Sequence, residues 1–302
     1  MTQSEQAHIP VMLDECLAAL SVRDGAVYAD LTLGLGGHSE AILEASAPSG
    51  KLIAFDRDPD ALALAKDRLS PYSARTQFFN ADFASVKQVF QEHGVCPVDG
   101  LLADLGVSSL QLDAAERGFS FQHEGPLDMR MNPELGLSAS ELLVQTSEKD
   151  LANLLYKYGE EHRSRRIARA ICQAKRESPI ETTTQLANIV LRAIGRPPGS
   201  RIHPATRTFQ ALRIVVNQEL EQLSELLEVL PDCIAPGGIA VVISFHSLED
   251  RMVKYAFRDK SRWQPLTKKP LTASLSETKD NPRSRSAKMR AAKRVSAAEV
   301  VQ

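Results

Sequence analysis

The stretch Asp30-Leu31-Thr32-Leu33-Gly34-Leu35-Gly36-Gly37-His38-Ser39 decides the fold. It follows residues 26–31, a short apolar run of strand length, and opens residues 39–47, which read as a short helix. Glycines at such a junction allow a tight turn and let a ligand approach the backbone. Asp56 closes the next apolar run, 51–56, about 20 residues after Gly36, where a carboxylate can accept ribose hydroxyls. A glycine turn between strand and helix, with an acid at the next strand end, reads as a nucleoside-cofactor site.

The same rhythm extends outward. Residues 59–69 are helical, with Leu62, Ala65, Lys66 and Leu69 at helical spacing. Residues 76–80 and 98–105 read as the third and fourth strands. Strands alternating with helices imply βαβ units and a parallel sheet covered on both faces. From about 111 to 204 no strong strand is legible. Helical patterns cover 138–145, 147–158, 160–176 and 182–194, and residues 196–200 form a loop. Phe209, Leu212, Val216, Leu220, Leu223, Leu227 and Leu230 then predict one long amphipathic helix. Pro236-Gly237-Gly238 turns the chain into a fifth strand at 239–243, and a polar, basic tail follows Trp263. The expected architecture is α/β, a Rossmann-like sheet formed by 1–112 and 205–302 and interrupted by a helical domain at 113–204. Ligands of open α/β sheets sit beyond the carboxyl ends of the strands, so an insertion there can form the other wall of a substrate cleft.

Composition narrows the function classes. The 302 residues are 43% hydrophobic and 25% charged, with a formal net charge of -2. That suits one large or two ordinary globular domains and excludes a global basic field toward nucleic acid or membrane. The longest apolar runs fall far short of the about 20 residues that span a bilayer. The polar N-terminus, Met-Thr-Gln-Ser-Glu-Gln, is no secretory signal. Cys16, Cys96, Cys172 and Cys233 lie far apart, so neither a zinc site nor a disulfide framework is indicated. A soluble cytoplasmic protein is expected.

The cofactor is read from the strand ends. In the dinucleotide fingerprint Gly-x-Gly-x-x-Gly the third glycine falls at Ser39, which weakens a pyrophosphate reading. S-adenosylmethionine carries no phosphate. Asp82 and Phe83 follow the third strand, where an acid reaches an adenine amine and a ring packs on adenine. Asp104-Leu105-Gly106 ends the fourth strand, where the reacting group would sit. Ser244, His246 and Glu249 are too close in sequence, and lack a Gly-x-Ser-x-Gly elbow, to read as a hydrolase. Ser247 with Asp250 reads as a helix cap, and His203-Pro204 as a helix start.

Several long blocks carry a resemblance: His8-Ile9-Pro10-Val11-Met12-Leu13, Gly36-Gly37-His38-Ser39, Asp104 to Ser109, Glu116 to Phe121, Gly125 to Met131, His203 to Arg207, Ser244 to Arg251, and Asn281 to Lys288. With these, nearly end to end, the chain resembles the MraW-type methyltransferases. The resemblance implies S-adenosylmethionine contacts at Gly36, Gly37, His38, Asp56, Phe83, Asp104 and Gln111. It implies methylation of the exocyclic N4 of a decoding-centre (P-site) cytosine in 16S rRNA of the small ribosomal subunit. Leu110 stands where many relatives are expected to carry proline, a difference in loop stiffness rather than chemistry.

N4 of cytosine is a poor nucleophile, its lone pair being delocalised into the ring. An acceptor for an N4 hydrogen would help free that pair. Many amino-methyltransferases place Asp/Asn/Ser-Pro-Pro-Tyr/Phe at this strand end. Here the acid is present without the prolines or the ring, so Asp104 is the candidate for N4 or for the cofactor's amino group. Phe119 or Phe121 is a candidate to stack on the target base, or a core residue. Seven basic residues lie between 157 and 176, and six between 281 and 294. Both runs are candidates to grip RNA phosphates, with Arg283, Arg285 and Lys288 of the latter the named contacts, and Arg207 and Arg213 could face RNA or bridge domains. Two other functions fit parts of the pattern: a nicotinamide-dependent oxidoreductase, and a non-catalytic RNA-binding ribosome-assembly factor. Monomer and homodimer both stay open.

Overall fold

The computed structural model describes residues 9–95, 97–196, 199 and 202–296. His8, Cys96, the N-terminal hexapeptide, and Pro197, Pro198 and Ser200 of the expected loop lie outside the described residues. The chain divides into two compact units, residues 1–106 with 220–302, and residues 107–219.

The first unit is a seven-stranded sheet: β1 Val27–Asp30, β2 Lys51–Asp56, β3 Thr76–Asn80, β4 Val98–Asp104, β5 Ile234–Ser244, β6 Trp263–Pro265 and β7 Lys288–Arg294. The order is β3-β2-β1-β4-β5-β7-β6. Strands β1 to β5 are parallel, and β7 runs antiparallel between β5 and β6. This is the Rossmann-like pattern expected. The chain winds outward from β1 to β3, then returns to β4 on the other side of β1. The rim between β1 and β4 is therefore the topological switch point.

Strand period and two-sided burial explain the apolar runs. Ala29, Ile53, Phe55, Leu101, Ala103, Ala240 and Val242 pack on one face, with Val86, Phe90, Leu223, Leu226, Leu230 and Val253 from helices. Tyr28, Leu52, Ala54, Leu102, Val241, Ile243 and Met289 pack on the other, with Met12, Cys16, Leu20, Ile42, Leu43, Leu62 and Ala65. Alternate residues of each strand feed opposite cores, so both faces must be apolar.

Three expectations are corrected. Pro236-Gly237-Gly238 is not a turn before the fifth strand but a bulge inside it. Pairing passes from Val98↔Ile234 to Gly100↔Ile239, two steps on β4 against five on β5, and Gly237 takes φ +84°. The basic tail is likewise structured. A 3-10 turn, Pro282–Ser286, leads into β7, whose Met289, Ala291 and Ala292 are buried. Arg290 and Lys288 of β7 reach Asp250 at 2.7 and 3.4 Å.

The long helix of 209–230 is the third. It breaks into Thr206–Val216 and Glu219–Cys233. Asn217, 2% exposed, donates its side-chain amide to the Met129 and Arg213 carbonyls and accepts from the Met131 N–H. A side chain bonded to backbone in this way competes with helix continuation, and Gln218 follows at φ +51°. The apolar stripe is continuous in sequence, yet Phe209 and Leu212 serve the second unit's core and Leu223 to Leu230 the first's. Along the chain the two compact units meet at 106/107 and 219/220.

The second unit is helical. Its helices Ala139–Gln145, Glu148–Gly159, Ser164–Glu177, Thr183–Ile194 and Thr206–Val216 surround Leu143, Leu151, Leu155, Ile167, Ile171, Leu186 and Val190. Ser138 with Glu141 and Thr182 with Gln185 form capping boxes, which fix where two of these helices start. No helix of the described residues is long and apolar enough to cross a membrane.

Candidate active site

The rim of β1, β2 and β4 gathers three acids and one imidazole. Asp30 ends β1 and is 1% exposed. It accepts hydrogen bonds from the Thr32 N–H at 3.1 Å and the Ser39 hydroxyl at 2.7 Å. Burial pushes its carboxyl up, against the opposing pull of His38 and these bonds. In the sequence Asp30 is signalled only as an acid at the last strand position before the glycine turn.

The turn itself needs glycine. Gly34 and Gly36 take φ +52° and +80°, and Gly36 in the left-handed region starts the helix Gly37–Ala45. A Cβ on Gly37 would lie 2.5 Å from the Pro10 ring, so the N-terminal segment closes down on the loop. Asp56 fastens the turn from β2, accepting from the Gly34 N–H at 2.7 Å and the Asp58 N–H at 2.8 Å. Burial raises its carboxyl to about 6, although both N–H bonds work to lower it.

His38 lies in the first turn of that helix. Its Nε2 is 3.7 Å from Asp104 Oδ2, beyond hydrogen-bond length. Neither ring nitrogen has a hydrogen-bond partner, and Asp104 Oδ1 is buried without one. Burial would lower the imidazole, but the carboxylates of Asp104, Asp30 and Glu277 outweigh it and hold the ring above its ordinary value. Asp104 ends β4, and its N–H donates to Thr32 Oγ1 at 2.6 Å. That bond ties the β4 end to the loop after β1. Gly106 follows at φ +102°, with the Phe245 ring 3.4 Å from where a Cβ would be.

The remaining expected residues are distributed differently. Asp82 pairs with Arg57 Nε at 3.1 Å, and Phe83, in the turn after β3, packs on the sheet core. Gln111 belongs to the second unit, buried, as the capping-box partner of Ser108. Phe119 is buried in the second unit's core. Phe121 packs there against the rings of His203 and Phe209 at 4.8 and 4.7 Å. Both rings therefore have packing roles. Arg283 is half-buried and Arg285 exposed. Arg207 donates to the Glu160 carbonyl, and Arg213 makes two bonds to Glu219, so both are engaged within their own unit. His246, rather than Ser247, caps the helix Ser247–Ala256, with Glu249 completing the box.

Gly36, Gly37, His38, Asp56 and Asp104 are thus brought together on one rim, joined by Asp30 and Thr32. Three carboxylates facing a glycine turn repel a pyrophosphate and attract a cation such as a sulfonium or an ammonium. The buried, unpartnered atoms of His38 and Asp104 are the groups a polar ligand would satisfy. The residues present therefore fit S-adenosylmethionine, which is cationic and carries no phosphate.

The family model described as the MraW methylase family matches residues 5–295. Similar proteins include three named ribosomal RNA small subunit methyltransferase H. The one from Acidobacterium capsulatum is 52% identical over 96% of this chain and 99% of its own length. That from Sorangium cellulosum is 52% identical over 98% and 93%, and that from Cyanothece sp. 50% over 98% of each.

Proposed function

The chain belongs to the MraW methylase family, and from that premise we propose that it transfers a methyl group from S-adenosylmethionine to the exocyclic N4 of a decoding-centre cytosine in 16S rRNA of the small subunit, in the cytoplasm. The relatives' names support small-subunit rRNA as the substrate. The observation that carries the chemistry is Asp104, its Oδ1 buried and unpartnered at the β1–β4 switch point.

Bound S-adenosylmethionine supplies a methyl group on a positively charged sulfur. Around it, Asp56 at the end of β2 accepts ribose hydroxyls with the lone pairs its two N–H bonds leave over. Phe83 and Asp82 after β3 take the adenine. Asp30 and Asp104 favour the cationic end by charge. Asp104 Oδ1 accepts one N4 hydrogen, which favours a tetrahedral nitrogen and frees its lone pair. Asp104 is also the residue that would take the N4 proton once the bound cofactor supplies its methyl group. Holding N4 in line with the methyl group can supply about 7–11 kcal/mol in favourable cases. The base must leave any stack to arrive there, at a cost of a few kcal/mol.

The test is transfer itself. Labelled S-adenosylmethionine is incubated with small subunits lacking the modification, the rRNA is digested, and the labelled nucleoside is mapped. Label on N4 of one cytosine supports the reading; label on another atom or base, or none, overturns it. A nicotinamide-dependent role is disfavoured by the carboxylate cluster, which opposes a pyrophosphate.

A further inference from the structure

We infer that Arg165, Arg166, Arg169 and Arg176, on the outer face of the helix Ser164–Glu177, form a phosphate-binding stripe for the RNA backbone. The inference rests on the proposed RNA substrate and assigns a surface to it. At 3.6 residues per turn the four side chains fall within an arc of about 100°, spread along about 17 Å of helix. All four are exposed. The adjoining face, Ile167, Ala168, Ile171 and Cys172, is buried in the unit's core.

The stripe is unusual in what it lacks. No acid occurs from His162 to Arg176. An ordinary solvated helix face mixes both signs, because like charges at i, i+4 repel while opposite ones attract. Arg165 and Arg169 stand at that spacing. The chain as a whole carries a net charge of -2, so this clustering runs against its composition.

The structure also separates the basic residues of this region by role. Lys175 donates to the carbonyls of Leu143, Val144 and Thr146 and closes the end of the helix Ala139–Gln145. Arg163 donates to the Ile194 carbonyl at the end of Thr183–Ile194. Both serve the fold. Arg169 has only an exposed, 3.7 Å contact with Glu148, the kind worth little in water. The side chains of Arg165, Arg166 and Arg176 have no hydrogen bond or ion pair among the described residues. Guanidinium groups bind phosphate through two parallel N–H bonds, which suits arginine rather than lysine in such a row.

The two basic clusters are thereby distinguished. In 281–294, Lys288 and Arg290 are drawn onto Asp250. An anionic membrane surface is the other ligand with this charge. Helices that lie on membranes insert an apolar face, and here that face is already buried in protein.

The test uses the full chain with all four arginines changed to Gln, and a second variant with Arg283→Gln and Arg285→Gln. Binding to a labelled single-stranded RNA is measured across salt concentration, and S-adenosylmethionine binding by calorimetry checks that the first unit is intact. The slope of log affinity against log salt is about 0.7 per neutralised phosphate on a single strand. The stripe variant should therefore lose about 3 from the magnitude of that slope and bind at least tenfold more weakly at low salt, with cofactor affinity unchanged. An unchanged slope overturns the inference. So does a variant that loses binding to phosphatidylserine vesicles while keeping its RNA affinity. Should the wild-type chain leave small subunits unmethylated, the proposed function fails separately, since the slope measurement needs no turnover.

Discussion

His38 Nε2 and Asp104 Oδ2 face each other at 3.7 Å, with side chains 8% and 21% exposed. One comes from the helix after β1 and the other from the end of β4, so the pair spans the switch point of the sheet. The contact is too long for a direct hydrogen bond, and the atoms around it lack partners. The pair thus presents polar atoms that a bound ligand would satisfy.

Asp104→Asn should preserve the fold, because the backbone N–H bond to Thr32 does not involve the side chain. On the proposed mechanism it removes the charge that would accept the N4 proton. General-base contributions are typically about 10²–10⁴-fold, and a fall of that size in single-turnover methyl transfer is expected in a variant that still unfolds cooperatively. Wild-type turnover would remove Asp104 from the chemistry.

The charge on His38 should stabilise the protein at acid pH. Its imidazole is raised in the folded state, because the Asp104, Asp30 and Glu277 carboxylates overcome the opposing effect of burial. A group raised on folding contributes fully below its unfolded pKa, about 6.5. The contribution is lost as pH rises through the folded value. In urea unfolding across pH, the stability difference between wild type and His38→Gln should be largest below about 6.5 and shrink above it. A difference independent of pH would contradict the assigned charges.

Thr32 positions Asp104 through the bond from its N–H. Thr32→Val keeps the shape and leaves that N–H unpaired, at a cost of about 1–3 kcal/mol. Thr32→Ser restores the acceptor. The valine variant should melt lower and lose kcat more than cofactor affinity, and the serine variant should recover both. Equal behaviour of the two would show that the hydroxyl has no positioning role.

Much of this rim was legible because each strand ends in an acid or a glycine turn. Asp56 and Asp104 mark the ends of β2 and β4 by chemistry alone, and β1 to β4 show as apolar runs because both faces are buried. Less of the second half was legible. β7 alternates Arg290 and Lys288 with Met289 and Ala291, and its charges read as a tail because their partner, Asp250, is distant in sequence. The break at Asn217 was hidden by an apolar stripe that keeps helical spacing across it. Phe119 and Gln111 carried functional expectations, yet one packs a core and the other completes a capping box. Such roles depend on tertiary neighbours that spacing does not reveal.

Gly37→Ala separates two opposing effects. Alanine is favoured over glycine by up to about 1 kcal/mol in a helix, less at the first helical position that Gly37 occupies. Its Cβ would meet the Pro10 ring at 2.5 Å, and overpacking typically costs about 1–3 kcal/mol. The clash should win, since a proline ring cannot rotate away, and thermal unfolding should show a lower melting temperature. A higher one would mean that the segment around Pro10 moves aside without cost.

Ligand-dependent unfolding probes the carboxylate rim most directly. The chain is melted with S-adenosylmethionine and, separately, with NADH, each in large excess. A ligand at a hundredfold over its dissociation constant adds about 2.7 kcal/mol of stability. S-adenosylmethionine should protect to that extent, NADH should not, and the protection should weaken in Asp104→Asn. Protection by NADH, or none by S-adenosylmethionine, would contradict a rim built for a cationic nucleoside.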